Sequence, residues 1–139
     1  MYLPPPIEFS ITLELLSRLN KPVEPPMLCR LVHASYAGTL TILRNEVDAP
    51  VGFVCWAGGN KDSVRGAEKF NRFPNYPWEF KEGKITILLE VFFIYPFRSE
   101  AKVAFRKFLA SRRAVYYVNK ERKRLLIRTS NGFRFAKIN

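Results

Sequence analysis

The spacing of apolar residues divides the chain into predicted helices and strands. Residues 7–19 place apolar side chains at helical intervals, and a proline-rich stretch then interrupts the chain. Residues 39–44 and 51–56 are two apolar runs joined by a turn-rich connection, which predicts a β-hairpin. We expect a short helix at residues 63–70 and an aromatic surface loop at residues 71–80.

The second half of the chain contains the most apolar strand and a clearly amphipathic helix. Residues 85–94 are apolar on both faces around Glu90, which is typical of a central strand in a sheet. Ser99 is a good N-cap for the helix that follows. One face of that helix is apolar: Ala101, Ala104, Phe105, Phe108 and Leu109.

Three strands are predicted at the end of the chain, at residues 114–118, 125–128 and 133–138. The first two are joined by a turn at residues 119–123. The whole order is helix, hairpin, helix, long strand, helix, strand and terminal hairpin. It predicts an α+β fold: a single domain over residues 1–139, with a curved, mostly antiparallel sheet and helices over one face.

Composition limits the classes of protein to consider. Apolar residues make up 47% of the chain and aromatic residues 14%, which excludes intrinsic disorder of the whole. No apolar run approaches the roughly 18–20 residues of a membrane span, and the first residues lack signal-peptide features, so we expect a cytoplasmic protein. Cys29, Cys55 and His33 are too few for a zinc site, so we expect no metal. The apolar neighbours of both cysteines favour buried thiols.

Positive charge is concentrated in the last third of the chain. Residues 98–139 hold thirteen Lys and Arg and two acids, so their net charge of +11 equals that of the whole chain. Residues 1–97 hold equal numbers of basic and acidic side chains. Such asymmetry predicts an acidic partner on one side of the molecule.

Three segments resemble the toxin-activating lysine acyltransferases of the RTX type. Pro50-Val51-Gly52-Phe53-Val54-Cys55-Trp56-Ala57 resembles the second strand of that family. Phe93-Ile94-Tyr95-Pro96-Phe97 resembles its junction between the central strand and the next helix, and Asn20-Lys21-Pro22 stands where the family has Asn-Trp-Pro. The resemblance covers residues 15–118.

The resemblance implies a fold related to the general N-acetyltransferases. It also implies transfer of an acyl group from a thioester donor, acyl carrier protein or acyl-CoA, to a lysine or another amine. The catalytic histidine of the family precedes Asn-Trp-Pro, where this chain has Ser17-Arg18-Leu19, and its catalytic aspartate falls at Phe92. The chain is therefore expected to be either an active acyltransferase that uses other groups or a degenerate relative.

Two sets of residues are candidates for this chemistry. Glu90, with His33 as its neighbour, would accept the proton of an attacking amine, although Glu90 could equally pair with an arginine. Arg98, Ser99 and Lys102 lie at the predicted helix start, where backbone N–H groups and the helix dipole would hold a phosphate of the donor. The alternative for Ser99 is a simple cap.

The basic last third is the third candidate site. Basic residues interleaved with aromatic ones suit phosphate contact combined with base stacking, but an acidic carrier or substrate protein would be attracted by the same surface. We expect one continuous positive face formed by Arg106, Arg113, Arg122, Lys123 and Arg124. The alternative to an acyltransferase is therefore a nucleic-acid-binding accessory protein of phage or plasmid origin that catalyses no reaction.

Overall fold

Helices and strands alternate along the computed structural model, which describes residues 6–20, 22–119 and 122–136. The helices are α1 Ile7–Arg18, α2 Pro25–Ala37, α3 Lys61–Phe70 and α4 Arg98–Ala110. The strands are β1 Leu40–Arg44, β2 Pro50–Gly59, β3 Ile85–Phe93, β4 Ala114–Asn119, β5 Arg122–Thr129 and β6 Gly132–Ala136. A short 3₁₀ helix, Pro77–Phe80, precedes β3. Lys21, the middle of the predicted 119–123 turn and the end of the last predicted strand lie outside the described residues.

The strands form one open sheet in which spatial order follows chain order, from β1 to β6. All neighbours are antiparallel except β3 and β4, which are parallel and are connected through α4. The predicted α+β fold with a mostly antiparallel sheet is confirmed. The central place of the apolar strand, between the first hairpin and β4, is also confirmed.

Helices pack on both faces of the sheet, which corrects the expectation of helices over one face. Phe53 of β2 packs in a core with α1 and α2, whereas its neighbour Val54 packs in a core with α4. The two lie on opposite sides because side chains alternate along a strand. Ala57 of β2 belongs to the core with α1 and α2, and its partner Ile87 of β3 packs on α3. Helix α3 therefore lies on the same side of the sheet as α1 and α2. We call the two sides the α1/α2 face and the α4 face.

Helix α2 is not among the elements that the sequence predicts, because Pro25 and Pro26 indicate a break in the chain. They occupy the first two positions of the helix, where the missing N–H has no intrahelical partner and the fixed φ favours helix. Gly38 ends the helix in the left-handed region, with φ 78°. The prolines therefore start this helix.

Helix α4 packs through four of its five predicted core residues, all but Leu109, and begins differently. Ala101, Ala104, Phe105 and Phe108 lie in the core shared with β1, β2 and β3. The helix starts at Arg98, with Phe97 at the N-cap and no side-chain cap. The predicted N-cap role of Ser99 is therefore wrong, because Ser99 lies one residue inside the helix.

Candidate functional site

The parallel pair β3 and β4 stops pairing partway along its length. The last pair is Ile87 with Tyr116, and no further pairing joins residues 88–93 to residues 117–119, all of which the structure describes. The β3–β4 ladder therefore ends at this pair, and we call the stretch beyond it the β3–β4 gap. Backbone groups at a strand edge without a ladder partner can hydrogen-bond a ligand.

A β-bulge lies in β3 beside the start of this gap. Cys55 pairs with Glu90 and Trp56 pairs with Leu88, so Leu89 has no partner on β2. A bulge bends its strand and reorients the neighbouring side chains and backbone groups. The irregular part of β3 is therefore the part that faces the gap.

Glu90, the predicted base, follows the bulge and is paired with Arg30 of α2. Nη2 of Arg30 donates to Oε1 of Glu90 over 3.0 Å, and the two side chains are 28% and 25% exposed. The ion pair joins α2 to β3 and holds the carboxylate in one place. It is the arginine pairing that the alternative interpretation of Glu90 expected.

Cys55 lies across from Glu90 and is buried. Desolvation raises the pKa of its thiol to about 12; the negative charge of Glu90 adds to this shift and Arg30 opposes it. The thiol is therefore protonated at neutral pH and is a poor nucleophile. Cys29, by contrast, is exposed on α2, which corrects the expectation that both thiols are buried.

His33 is not joined to Glu90 by any hydrogen bond among the described residues. Its ring packs edge-on against Phe80, with 6.1 Å between the ring centroids. His33 follows Arg30 by three positions on α2, so the two lie on neighbouring turns of one helix face. Among the described residues, Glu90 and His33 therefore do not form a hydrogen-bonded general-base pair.

The start of α4 presents Arg98, Ser99 and Lys102 as exposed side chains. Glu100 lies in the same turn, and its Oε2 accepts a hydrogen bond of 2.8 Å from Nδ2 of Asn45. A carboxylate therefore already occupies the positive end of the helix dipole. A phosphate at this position would lie close to a like charge.

The α4 face of β4, β5 and β6 is a second candidate site. Helix α4 does not pack across these strands, because it packs across β1, β2 and β3 instead. Tyr116 points to α3, so the alternation places Tyr117 on the α4 face. The register then puts further side chains on that face. The surface, which we call the open face, consists of Tyr117, Arg122, Arg124, Leu126, Arg128, Phe133 and Phe135.

Two of the aromatic residues on the open face are exposed, and an arginine side chain lies over the ring of one of them. Phe133 is 37% exposed and Phe135 61% exposed. The guanidinium carbon of Arg124 lies over the ring of Phe135, 4.9 Å from its centroid. Such an arrangement is a cation–π contact.

Lys123 does not lie on this surface, which corrects the expectation of one continuous positive face. Its Nζ donates to the backbone oxygens of Ala67 (3.3 Å) and Glu68 (2.8 Å), near the end of α3. Lys123 therefore lies on the α1/α2 face, opposite to Arg122 and Arg124. Arg106 and Arg113 are exposed, on α4 and just before β4 respectively.

A cationic pocket of about 370 Å³ adjoins the open face near the start of β4. Its basic lining residues are Lys84, Arg112, Arg113 and Arg128. The guanidinium of Arg112 lies 4.7 Å from the centroid of the Trp56 ring, and its buried Nε has no hydrogen-bond partner among the described residues. Arg128 donates to the oxygen of Ala110 at the end of α4 over 2.8 Å.

Several residues of these sites were not singled out from the sequence. Arg30 was missed with its helix, although the apolar spacing of Leu28, Leu31 and Val32 could have indicated one. In the sequence, Arg112 stands out only as one of the basic residues of the last third. Its contact with Trp56 depends on packing between α4 and β2, which no local pattern reveals.

No known protein-family model and no curated protein matches the chain. Among residues 6–20, 22–119 and 122–136, no three His, Cys, Asp or Glu side chains come together as a metal site would require. In the same part of the chain, no helix has the length and apolar character needed to cross a bilayer.

Proposed function

We propose that the chain is an acyltransferase-like protein that binds an acyl thioester in the β3–β4 gap and passes the acyl group to an amine. The observation that carries the proposal is the end of β3–β4 pairing at Ile87 and Tyr116, directly beside the bulge at Leu89. The extended, amide-containing arm of a thioester donor would then hydrogen-bond the edge of β3 beyond the ladder, as an added strand does. The resemblance of residues 50–57 and 93–97 to the toxin-activating acyltransferases supports the same function.

In this proposal Glu90 accepts the proton of the attacking amine. The amine nitrogen forms a bond to the thioester carbonyl carbon, and the carbonyl oxygen takes up negative charge. Backbone N–H groups near the bulge would stabilise that charge. The carbon–sulfur bond then breaks, and the proton taken by Glu90 goes to the leaving thiolate. Arg30 keeps the carboxylate in position, 3.0 Å away.

The proposal is tested with acyl carrier protein that carries a labelled acyl group. We expect the thioester to be consumed in the presence of a lysine-containing acceptor. Glu90→Gln should lower the rate of transfer by about 10²–10⁴-fold, the usual contribution of a positioned base. Glu46→Gln is the matched control, because Glu46 is an exposed glutamate in the β1–β2 turn.

Binding is measured separately from turnover, by hydrogen exchange of residues 88–95. The donor should slow exchange there in both the parent and Glu90→Gln. Transfer that is unaffected by Glu90→Gln would exclude Glu90 as the base. A chain that neither consumes the thioester nor shows slowed exchange, with short and long acyl groups and with acyl-CoA, would overturn the proposed function.

A further inference from the structure

The open face combines flat aromatic surface with cations that lack carboxylate partners. None of Arg122, Arg124 and Arg128 forms a salt bridge with a described acidic residue. Phe133 and Phe135 are two positions apart on β6 and share one face, so their rings lie roughly 6.6 Å apart along the strand. This separation gives each ring room to stack with a different base.

We propose that the open face binds single-stranded nucleic acid. Bases stack on Phe133 and Phe135, and Arg124 extends the stacking surface with its planar guanidinium. The phosphates contact Arg122 and Arg128 and continue into the cationic pocket. There the exposed side chains of Lys84 and Arg113 can donate to phosphate oxygens.

The aromatic residues favour a single strand over a duplex. In a duplex the bases are stacked on one another, and only their edges are accessible in the grooves. A sheet face that carries exposed rings has little to contact there, whereas the faces of unpaired bases match it. The four basic residues of the pocket alone would not distinguish the two forms, because phosphates are common to both.

The same residues argue against an acidic protein as the partner. Carboxylates would pair with the arginines but would leave the 61% exposed ring of Phe135 without a matching group. Every nucleic-acid base has a π-face that can stack on such a ring, whatever the sequence. The expected specificity is therefore for single strands, with weak dependence on base sequence.

The test is fluorescence anisotropy with labelled oligo-dT and oligo-rU of about fifteen nucleotides, within the site sizes known for sheet-based binders. Phe135→Ala should weaken binding of both by roughly 5- to 150-fold, as removal of one base-stacking ring implies. Phe135→Tyr should restore it. Arg122→Glu with Arg124→Glu should make the dependence of affinity on salt shallower, by about 0.7 in slope for each phosphate that is no longer neutralised.

A matched control removes the same residue types elsewhere. Phe70→Ala with Arg72→Glu changes an exposed phenylalanine and an exposed arginine at the end of α3, away from the open face. This variant should bind nearly as the parent does. Circular dichroism and the thermal midpoint of each variant show that the fold is kept.

Three results would overturn the proposal: no oligonucleotide binding at low salt, equally weakened binding in Phe135→Ala and the control, or duplex bound as tightly as single strand. Poly-glutamate bound as tightly as oligo-dT, and insensitive to Phe135→Ala, would instead assign the face to an acidic protein. Stronger binding of oligo-rU or of oligo-dT would identify RNA or DNA as the preferred ligand. The Glu90→Gln variant should bind oligonucleotide unchanged, so this test is independent of acyl transfer.

Discussion

At the scale of single residues, the buried thiol of Cys55 gives stability a defined dependence on pH. Its pKa is about 12 in the folded protein and 9.0 in a solvated thiol. Above pH 9 the unfolded chain therefore releases a proton that the folded chain retains, and the free energy of unfolding decreases up to about pH 12. We expect the thermal midpoint to fall steadily between about pH 8.5 and pH 11.

Cys55→Ala should reduce the slope of this decline, whereas Cys29→Ala, which removes an exposed thiol, should not. Some slope should remain in Cys55→Ala, because burial and the neighbouring Glu68 also raise the pKa of Tyr116. Parallel pH profiles for the parent and Cys55→Ala would show that the thiol does not titrate as described.

Glu90 illustrates what can be inferred about one residue from sequence. A carboxylate in the middle of an apolar strand is conspicuous, because burial of an unpaired charge is costly. This cost predicts a partner but does not identify it. The partner, Arg30, is sixty positions away in the chain. Only the packing of α2 on β3 brings the two together.

At the scale of elements, α4 is held by an aromatic cluster on one side. Phe105 packs edge-on against Phe93, with 5.7 Å between ring centroids, and stacks on Phe108 at 6.3 Å. Phe105 is partly buried. We expect Phe105→Ala to lower the free energy of unfolding by about 2–3 kcal/mol, somewhat less than the 3–5 kcal/mol of a fully buried phenylalanine.

Val103→Ala is the control on the same helix, because Val103 is 49% exposed. It should change stability by less than about 0.5 kcal/mol. Both values follow from urea unfolding monitored by circular dichroism. A similarly small destabilisation in both variants would mean that the aromatic cluster does not hold α4 on the sheet.

The elements whose positions the sequence predicts best have strong apolar patterns. α1 and α4 repeat apolar residues at helical intervals, and β3 is apolar on both faces around Glu90, so their approximate positions follow. α2 was missed because proline has two opposite effects, starting a helix at its first turn and breaking it later. The placement of helices on both faces could not be inferred, because it depends on which side each connection crosses.

At the scale of the molecule, the order of the strands in the sheet determines where the charge lies. The strands lie in the sheet in the order of the sequence, so β4, β5 and β6 of the basic last third form one half of the sheet, whereas α4 packs on the other half. This much of the charged surface follows from the sequence. The separation of Lys123 from Arg122 and Arg124 follows only from alternation along β5, and a single-residue error in register would invert it.

The sheet consists of two three-stranded blocks, β1–β3 and β4–β6, with little pairing between them. Beyond the short β3–β4 ladder, the blocks are joined by α3, which contacts Ile87 and Tyr116 and accepts hydrogen bonds from Lys123. We expect native-state hydrogen exchange to show β4–β6 opening at a lower free energy than β1–β3. Identical opening free energies for all six strands would contradict this.

The hydrogen bonds of Lys123 to α3 couple the unfolding of β4–β6 to that of β1–β3. Lys123→Met keeps an apolar stem over α3 but removes two bonds to its last carbonyl oxygens. The variant should lower the opening free energy of β4–β6 by about 1–2 kcal/mol and leave that of β1–β3 unchanged. We therefore expect unfolding in two stages, and a stronger hold of α3 on β5 should bring those stages closer together.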